Sequence, residues 1–153
     1  MPVRSVERFP DEPIILIVFE GLLTAEDIVE SYERSAPLVT EGFNLFIVDG
    51  RETSGNFAEM MRILKTETEM MARIEREYPE QAASQSVMYF VGTDAFARFY
   101  VNSRRLERFG SEIVPMFPTL EAALAAARVQ LHTLSTGEYR RIMGIGDGET
   151  GQA

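Results

Sequence analysis

The sequence contains no cysteine and no tryptophan, a single lysine and a single histidine. Lacking cysteine, it can form no disulfide and offers neither a thiolate metal ligand nor a thiol nucleophile. The one histidine, His132, has no sequence neighbour with which to build a metal pair or a Ser-His-acid relay, so nucleophilic catalysis has almost no candidates. It falls instead near the end of a predicted helix, where a cation suits the dipole. Long apolar runs are also missing: the longest, IILIVF at 14–19, is far short of the ~20 residues that span a bilayer. The opening segment MPVRSVERFPDEP has no apolar signal core. These absences give cytoplasmic residence and no membrane span as the expectation. Positive charge is scarce as well: 15 bases stand against 24 acids, for a net charge of −9. That balance works against nucleic acid as a partner, because phosphate binding rests on neutralising cations.

What is present suits one globular domain. The chain has 153 residues, enough to bury a core, and its apolar fraction of 45% is ordinary for a globular chain. Short apolar runs between turn residues mark strands, and a period near 3.6 marks helices. VRSVERF at 3–9 roughly alternates and predicts a first strand, and PDEP at 10–13 a turn. IILIVFEG (14–21), FNLFIVDG (43–50, strand at 44–50) and SVMYFVG (86–92) read as strands buried on both faces. Thr24 with Asp27 makes a capping box that opens a helix over 25–38, with Ile28, Val29, Tyr32 and Ala36 facing inward. Phe57, Met60, Met61, Leu64, Met71, Ile74 and Tyr78 define a long helix at 57–77, closed by Pro79. Asp94 begins a helix striped with Phe96, Phe99, Tyr100, Leu106 and Phe109 and ended by Gly110. In SEIVPMF, 111–117, Pro115 cannot donate to a ladder, which sends that strand to a sheet edge. Thr119 then caps an alanine-rich helix over 119–134. The segment 135–153 is glycine-rich and aperiodic, and reads as a flexible tail on a 1–134 domain; Tyr139, Ile142 and Met143 are its docking candidates.

The order β-β-α-β-α-β-α-β-α predicts an α/β domain with a mixed, mostly parallel five-stranded sheet and four helices. The short turn makes the first pair antiparallel. Three stretches, IILIVFEGLLTAEDIVESYE, FNLFIVDGRETSG and VMYFVGTDAFARFY, lead on to IVPMFPTLEAALAA. With this order they resemble the STAS fold of anti-sigma factor antagonists and sulphate transporter tails, and within it the small bacterial SpoIIAA-like proteins. The resemblance covers about residues 3–132. In the antagonist branch a Ser or Thr in an Asp-Ser-Ser-Gly type of motif, at the start of the second long helix, is phosphorylated by a partner kinase. The nearest match is Glu52-Thr53-Ser54-Gly55, so the resemblance implies Ser54, or Thr53, as phosphoacceptor.

Each candidate site has a plainer alternative. A phosphate at Thr53 or Ser54 would meet free N–H groups and the positive end of a helix dipole. Equally, Ser54 or Asn56 simply caps the 57–77 helix while Gly55 turns the chain. Glu20, Asp49 and Asp94 fall at predicted strand ends and would share one rim of a parallel sheet, the edge where open α/β sheets bind ligands. They could hold a hard cation, or serve as a solvated rim and helix caps. Arg98, Arg104, Arg105 and Arg108 on one helix read as an anion patch or as a solvated face. Met60, Met61, Met70 and Met71 widen the apolar stripe of the long helix beyond one buried face, which suggests a subunit contact or a small apolar pocket. The leading expectation is a non-enzymatic, homodimeric interaction module without cofactor or bound metal. Its partner protein would meet Arg51, Thr53, Ser54 and Phe57, with apolar area from Met60 and Met61. The alternatives are a carrier of a small apolar ligand or lipid, with an enclosed pocket beside Met60 and Met71, and an acid-dependent enzyme built on the strand-end carboxylates.

Overall fold

A computed structural model of the chain describes residues 3–40, 42–77 and 85–135. Strands β1 (Val3–Arg8), β2 (Ile14–Leu22), β3 (Phe43–Ser54), β4 (Gln85–Val91) and β5 (Met116–Phe117) form one sheet in the spatial order β1-β2-β3-β4-β5. β1 is antiparallel to β2, and every other pair is parallel. The helices are α1 (Ala25–Ser35), α2 (Phe57–Glu77), α3 (Ala95–Arg104) and α4 (Leu120–Ser135). The mixed sheet, the element order and the antiparallel first pair are as the sequence predicts.

Each parallel connection steps one strand further in the same direction. Crossovers of one hand taken in one direction place all their helices on one face. Ile28 of α1, Met60, Ile63 and Leu64 of α2, and Ala97, Tyr100 and Val101 of α3 accordingly pack with Ile15, Ile17, Phe19, Val48 and Phe90. Successive strand residues point to opposite faces. Ile14, Leu16, Leu45, Ile47, Tyr89 and Val91 therefore face the other way, where Ala123 and Ala127 of α4 cover them. The two-sided apolar runs of β2, β3 and β4 follow directly from this layering.

Boundaries differ from expectation in four places. β3 does not stop at Gly50: after a bulge that opposes Val18 and Glu20 to Asp49 and Glu52, it runs on beside β2 through the pairs Gly21–Thr53 and Leu22–Ser54. The Thr-Ser segment expected to be a loop is thus the end of a strand, because β2 extends equally far and offers it ladder partners. α3 ends at Arg104, not at the glycine. Leu106 is extended, Glu107–Phe109 make a 3-10 turn, and Gly110 closes that turn at φ 108°. The apolar spacing of Leu106 and Phe109 carried the helical pattern past the real end. β5 shrinks to two residues at the edge, where the Pro115 carbonyl accepts from Phe90 N–H at 2.9 Å. α1 likewise gives way at Ser35 to a 3-10 turn, Ala36–Leu38, that contains Pro37. Tyr78, Pro79 and the tail from 136 onward, including Tyr139, Ile142 and Met143, lie outside the described residues.

Candidate functional site

The face that carries α1, α2 and α3 is not filled solid. A chamber of about 270 Å³ lies between sheet and helices. Its floor is Ile17, Val48 and Phe90, and its roof includes Ile28, Met60 and Ile63. Met71, Glu75 and Ser86 also line it and are exposed, so the chamber opens to solvent beside the second half of α2. An engineered cavity of about 150 Å³ in another protein stays dry and takes up benzene. By proportion this one suits roughly ten heavy atoms.

One part of the lining is polar. Met60, Ile63, Leu64 and Glu67 are the buried residues of α2, so Glu67 occupies the next position of the apolar stripe. Across from it, Tyr100 and Arg104 project from α3 one turn apart, both buried. Tyr100 Oη donates to Glu67 Oε2 at 2.9 Å, and Arg104 Nη1 donates to Glu67 Oε1 at 3.1 Å and to Tyr100 Oη at 3.0 Å. Arg104 Nη2 donates to Glu112 and reaches Met71 Sδ at 3.9 Å. The guanidinium is 3% exposed and its Nε–H is enclosed with no hydrogen-bond partner among the described residues. Tyr32 of α1 completes the group. Its ring packs on the core and lines the chamber, and its hydroxyl has no hydrogen-bond partner among the described residues.

Burial sets the ionisation here. Desolvation raises the Glu67 pKa, opposed by the charge of Arg104 and the bonds from Tyr100 and Arg104. Burial, then the Glu67 charge, pushes the Tyr100 and Tyr32 phenols up, so both stay neutral. Desolvation alone would lower Arg104, but Tyr100, Glu67 and Glu112 together hold it above its ordinary value. The group is therefore a buried ion pair with two neutral phenols.

The residues singled out from the sequence lie elsewhere. Glu20 pairs with Arg4 at 2.9 Å. Asp49 takes the Arg51 backbone N–H at 3.2 Å and its side chain at 2.8 Å, bracing the bulge. Asp94 caps α3 by accepting from Ala97 N–H at 2.8 Å. Each of the three acids has its own local partner, and among the described residues no three His, Cys, Asp or Glu side chains are grouped to hold a metal. Thr53 Oγ1 donates to the Gly50 carbonyl at 2.6 Å, whereas Ser54 is exposed. The cap of α2 is Asn56, whose Oδ1 accepts from Glu59 N–H at 2.8 Å, so Ser54 has no capping duty. Arg51 is exposed beside Asp49, and Phe57 is exposed while stacking on Phe99 at 4.4 Å between centroids. Met60 is 1% exposed and supplies no contact surface; it belongs to the core and the chamber. Met61 is half-buried against the same core. Arg104 is likewise no part of a solvated arginine face, because it turns inward to Glu67. Arg98, Arg105 and Arg108 are exposed. His132 sits exposed in the last turn of α4.

Glu67, Tyr32 and Glu112 were not among the sequence candidates. The signal for Glu67 was its place on the stripe, seven residues after Met60 and three after Leu64. Arg104 stands four residues after Tyr100 in the same way. A charged residue on an apolar register is the mark of a buried pair.

No protein-family model matches the chain, and no curated protein matches it. The structure is similar to the crystal structure of an uncharacterized protein from the DUF3478 family with a SpoIIAA-like fold, from Shewanella loihica PV-4. The two share 16% identity over 79% of this chain and 89% of that one, with a TM-score of 0.45. Among the described residues no helix is long and apolar enough to cross a membrane.

Proposed function

We propose that this protein is a non-enzymatic binder of a small, largely apolar molecule, held in the chamber beneath α2. The observation that carries this reading is the chamber itself. It is lined by Met60 and Met71, its walls are mainly apolar, and the linked side chains of Glu67, Tyr100 and Arg104 form a polar patch in them, the pattern of a small-molecule site. Methionine walls adapt to occupants of irregular shape. Catalysis has little support: the buried carboxylate of the chamber, Glu67, is tied to Arg104 and Tyr100, and the strand-end acids are occupied locally.

The test is a titration with 1-aminonaphthalene, an uncharged, largely apolar fluorophore of about eleven heavy atoms that matches the chamber in size. Wild-type protein is expected to give saturable enhancement at one site per chain. Ser31→Phe places a ring in the chamber from a buried position on α1, and is expected to fold and to lose the signal. Absence of saturation, or equal binding by the folded variant, contradicts the reading.

A second reading rests on a different surface. Leu22 is 58% exposed and Phe57 65% exposed, close to the exposed Ser54 at the ends of β2 and β3. A protein partner, or a second copy of the chain, docking there would cover apolar area that the monomer leaves open. A phosphate on Ser54 would alter that contact. Phe57→Ser, assayed for oligomeric state by sedimentation, separates this surface from the chamber, since it leaves the chamber lining intact.

A further inference from the structure

The polar groups of the chamber restrict what head group an occupant carries. Arg104 has no N–H to offer it. Both Nη1 hydrogens are taken by Glu67 and Tyr100, and those of Nη2 face Glu112 and Met71. Its Nε–H is enclosed. Tyr100 spends its one hydroxyl proton on Glu67. What remains open is mostly accepting. Each Glu67 oxygen receives one bond and retains a second lone pair, and the Tyr32 hydroxyl accepts as well as donates. The formal charge of Glu67, Glu112 and Arg104 sums to minus one. An anionic head placed against this group would therefore meet net negative charge, and within the group would find one donor, the Tyr32 hydroxyl.

We infer that the chamber selects an occupant of roughly ten heavy atoms with an apolar body and a hydrogen-bond-donating head, a hydroxyl or an amine, and discriminates against carboxylates. This rests on the chamber being a binding site, as proposed above, and adds the chemistry of its polar end. A donor head adds a bond to Glu67 without breaking the existing ones, and it can also pair with the Tyr32 hydroxyl. A carboxylate does neither and must be desolvated besides.

Four ligands of one chain length separate the possibilities: nonane, 1-nonanol, nonylamine and nonanoate, each displacing 1-aminonaphthalene from the full-length protein at pH 7.5. Nonanol and nonylamine are expected to bind roughly tenfold tighter than nonanoate, and nonanol tighter than nonane. Tyr32→Phe removes a hydroxyl that makes no hydrogen bond among the described residues, so the variant should fold; it should weaken nonanol several-fold and leave nonane unchanged. Glu67→Gln is expected to shrink the disadvantage of nonanoate. If nonanoate equals or exceeds nonanol and nonylamine, or nonane binds as tightly as nonanol, the head-group inference is overturned while the chamber reading stands. If neither the fluorophore nor any of the four binds, the chamber reading itself fails.

Discussion

Replacing Arg104 with methionine isolates the energetics of the buried polar group. The guanidinium and the Glu67 carboxylate are 3% and 8% exposed and lie 3.1 Å apart. Methionine keeps much of the apolar stem and removes the charge. The carboxylate is then left buried with Tyr100 as its one remaining partner. Breaking a buried pair from one side typically costs about 3–5 kcal/mol, because the surviving charge stays desolvated. Protonation of Glu67 limits the loss, since each pKa unit of displacement corresponds to about 1.4 kcal/mol. The expected destabilisation at pH 7 is thus about 3 kcal/mol, read from urea unfolding. Glu67→Gln combined with Arg104→Met removes both charges and should recover at least ~1 kcal/mol relative to the sum of the single variants. A single variant that loses less than ~1 kcal/mol, or a double variant that equals that sum, would refute the reasoning.

Further expectations concern pH, packing and capping. Glu67 has a folded-state pKa above its ordinary 4.5, so the folded state holds its proton more tightly than the unfolded one. Its contribution to stability is full below 4.5 and declines as pH rises through the raised value, so unfolding measured upward from pH 4.5 should fall less steeply in Glu67→Gln. A Cβ on Gly50 would come within 2.6 Å of the Phe90 ring, which is itself packed on Tyr100. Gly50→Ala should therefore lower stability by about 1–3 kcal/mol and change fluorophore affinity, since Phe90 lines the chamber. Asn56→Ala removes the side-chain cap of α2 and should cost about 1 kcal/mol in thermal or urea unfolding, with the chamber unaffected.

Much of the fold was legible because burial writes itself into the pattern. Ile14–Phe19 and Leu45–Val48 are apolar at every position because helices cover both faces of those strands. The capping residues Thr24, Asp94 and Thr119 sit where local chemistry places them. The end of β3 was not legible, because pairing of Glu52–Ser54 depends on how far a distant strand extends. The end of α3 was missed for a related reason: Leu106 and Phe109 keep helical spacing although the backbone has already turned.

The site was less legible than the fold. Acidic residues at strand ends stand out because they resemble sites elsewhere, yet Glu20, Asp49 and Asp94 satisfy local partners. The group at the chamber comes from three helices: Tyr32 on α1, Glu67 on α2, and Tyr100 with Arg104 on α3. Only the fold brings them together. The expectation of an apolar pocket beside Met60 and Met71 came from an apolar stripe too wide for one contact, and the chamber lies there. The same excess had been assigned to a partner surface, from which the burial of Met60 removes one of the expected residues.

The central claim is that the chamber receives a ligand. Nuclear Overhauser contacts between 1-nonanol and the methyl groups of the isotope-labelled protein test it most directly. The account predicts contacts from the alkyl chain to Ile17, Ile63, Met60 and Met71, all of which line the chamber. Contacts confined to the exposed Leu22 and to Ile113 and Val129, or none at ligand saturation, would contradict it.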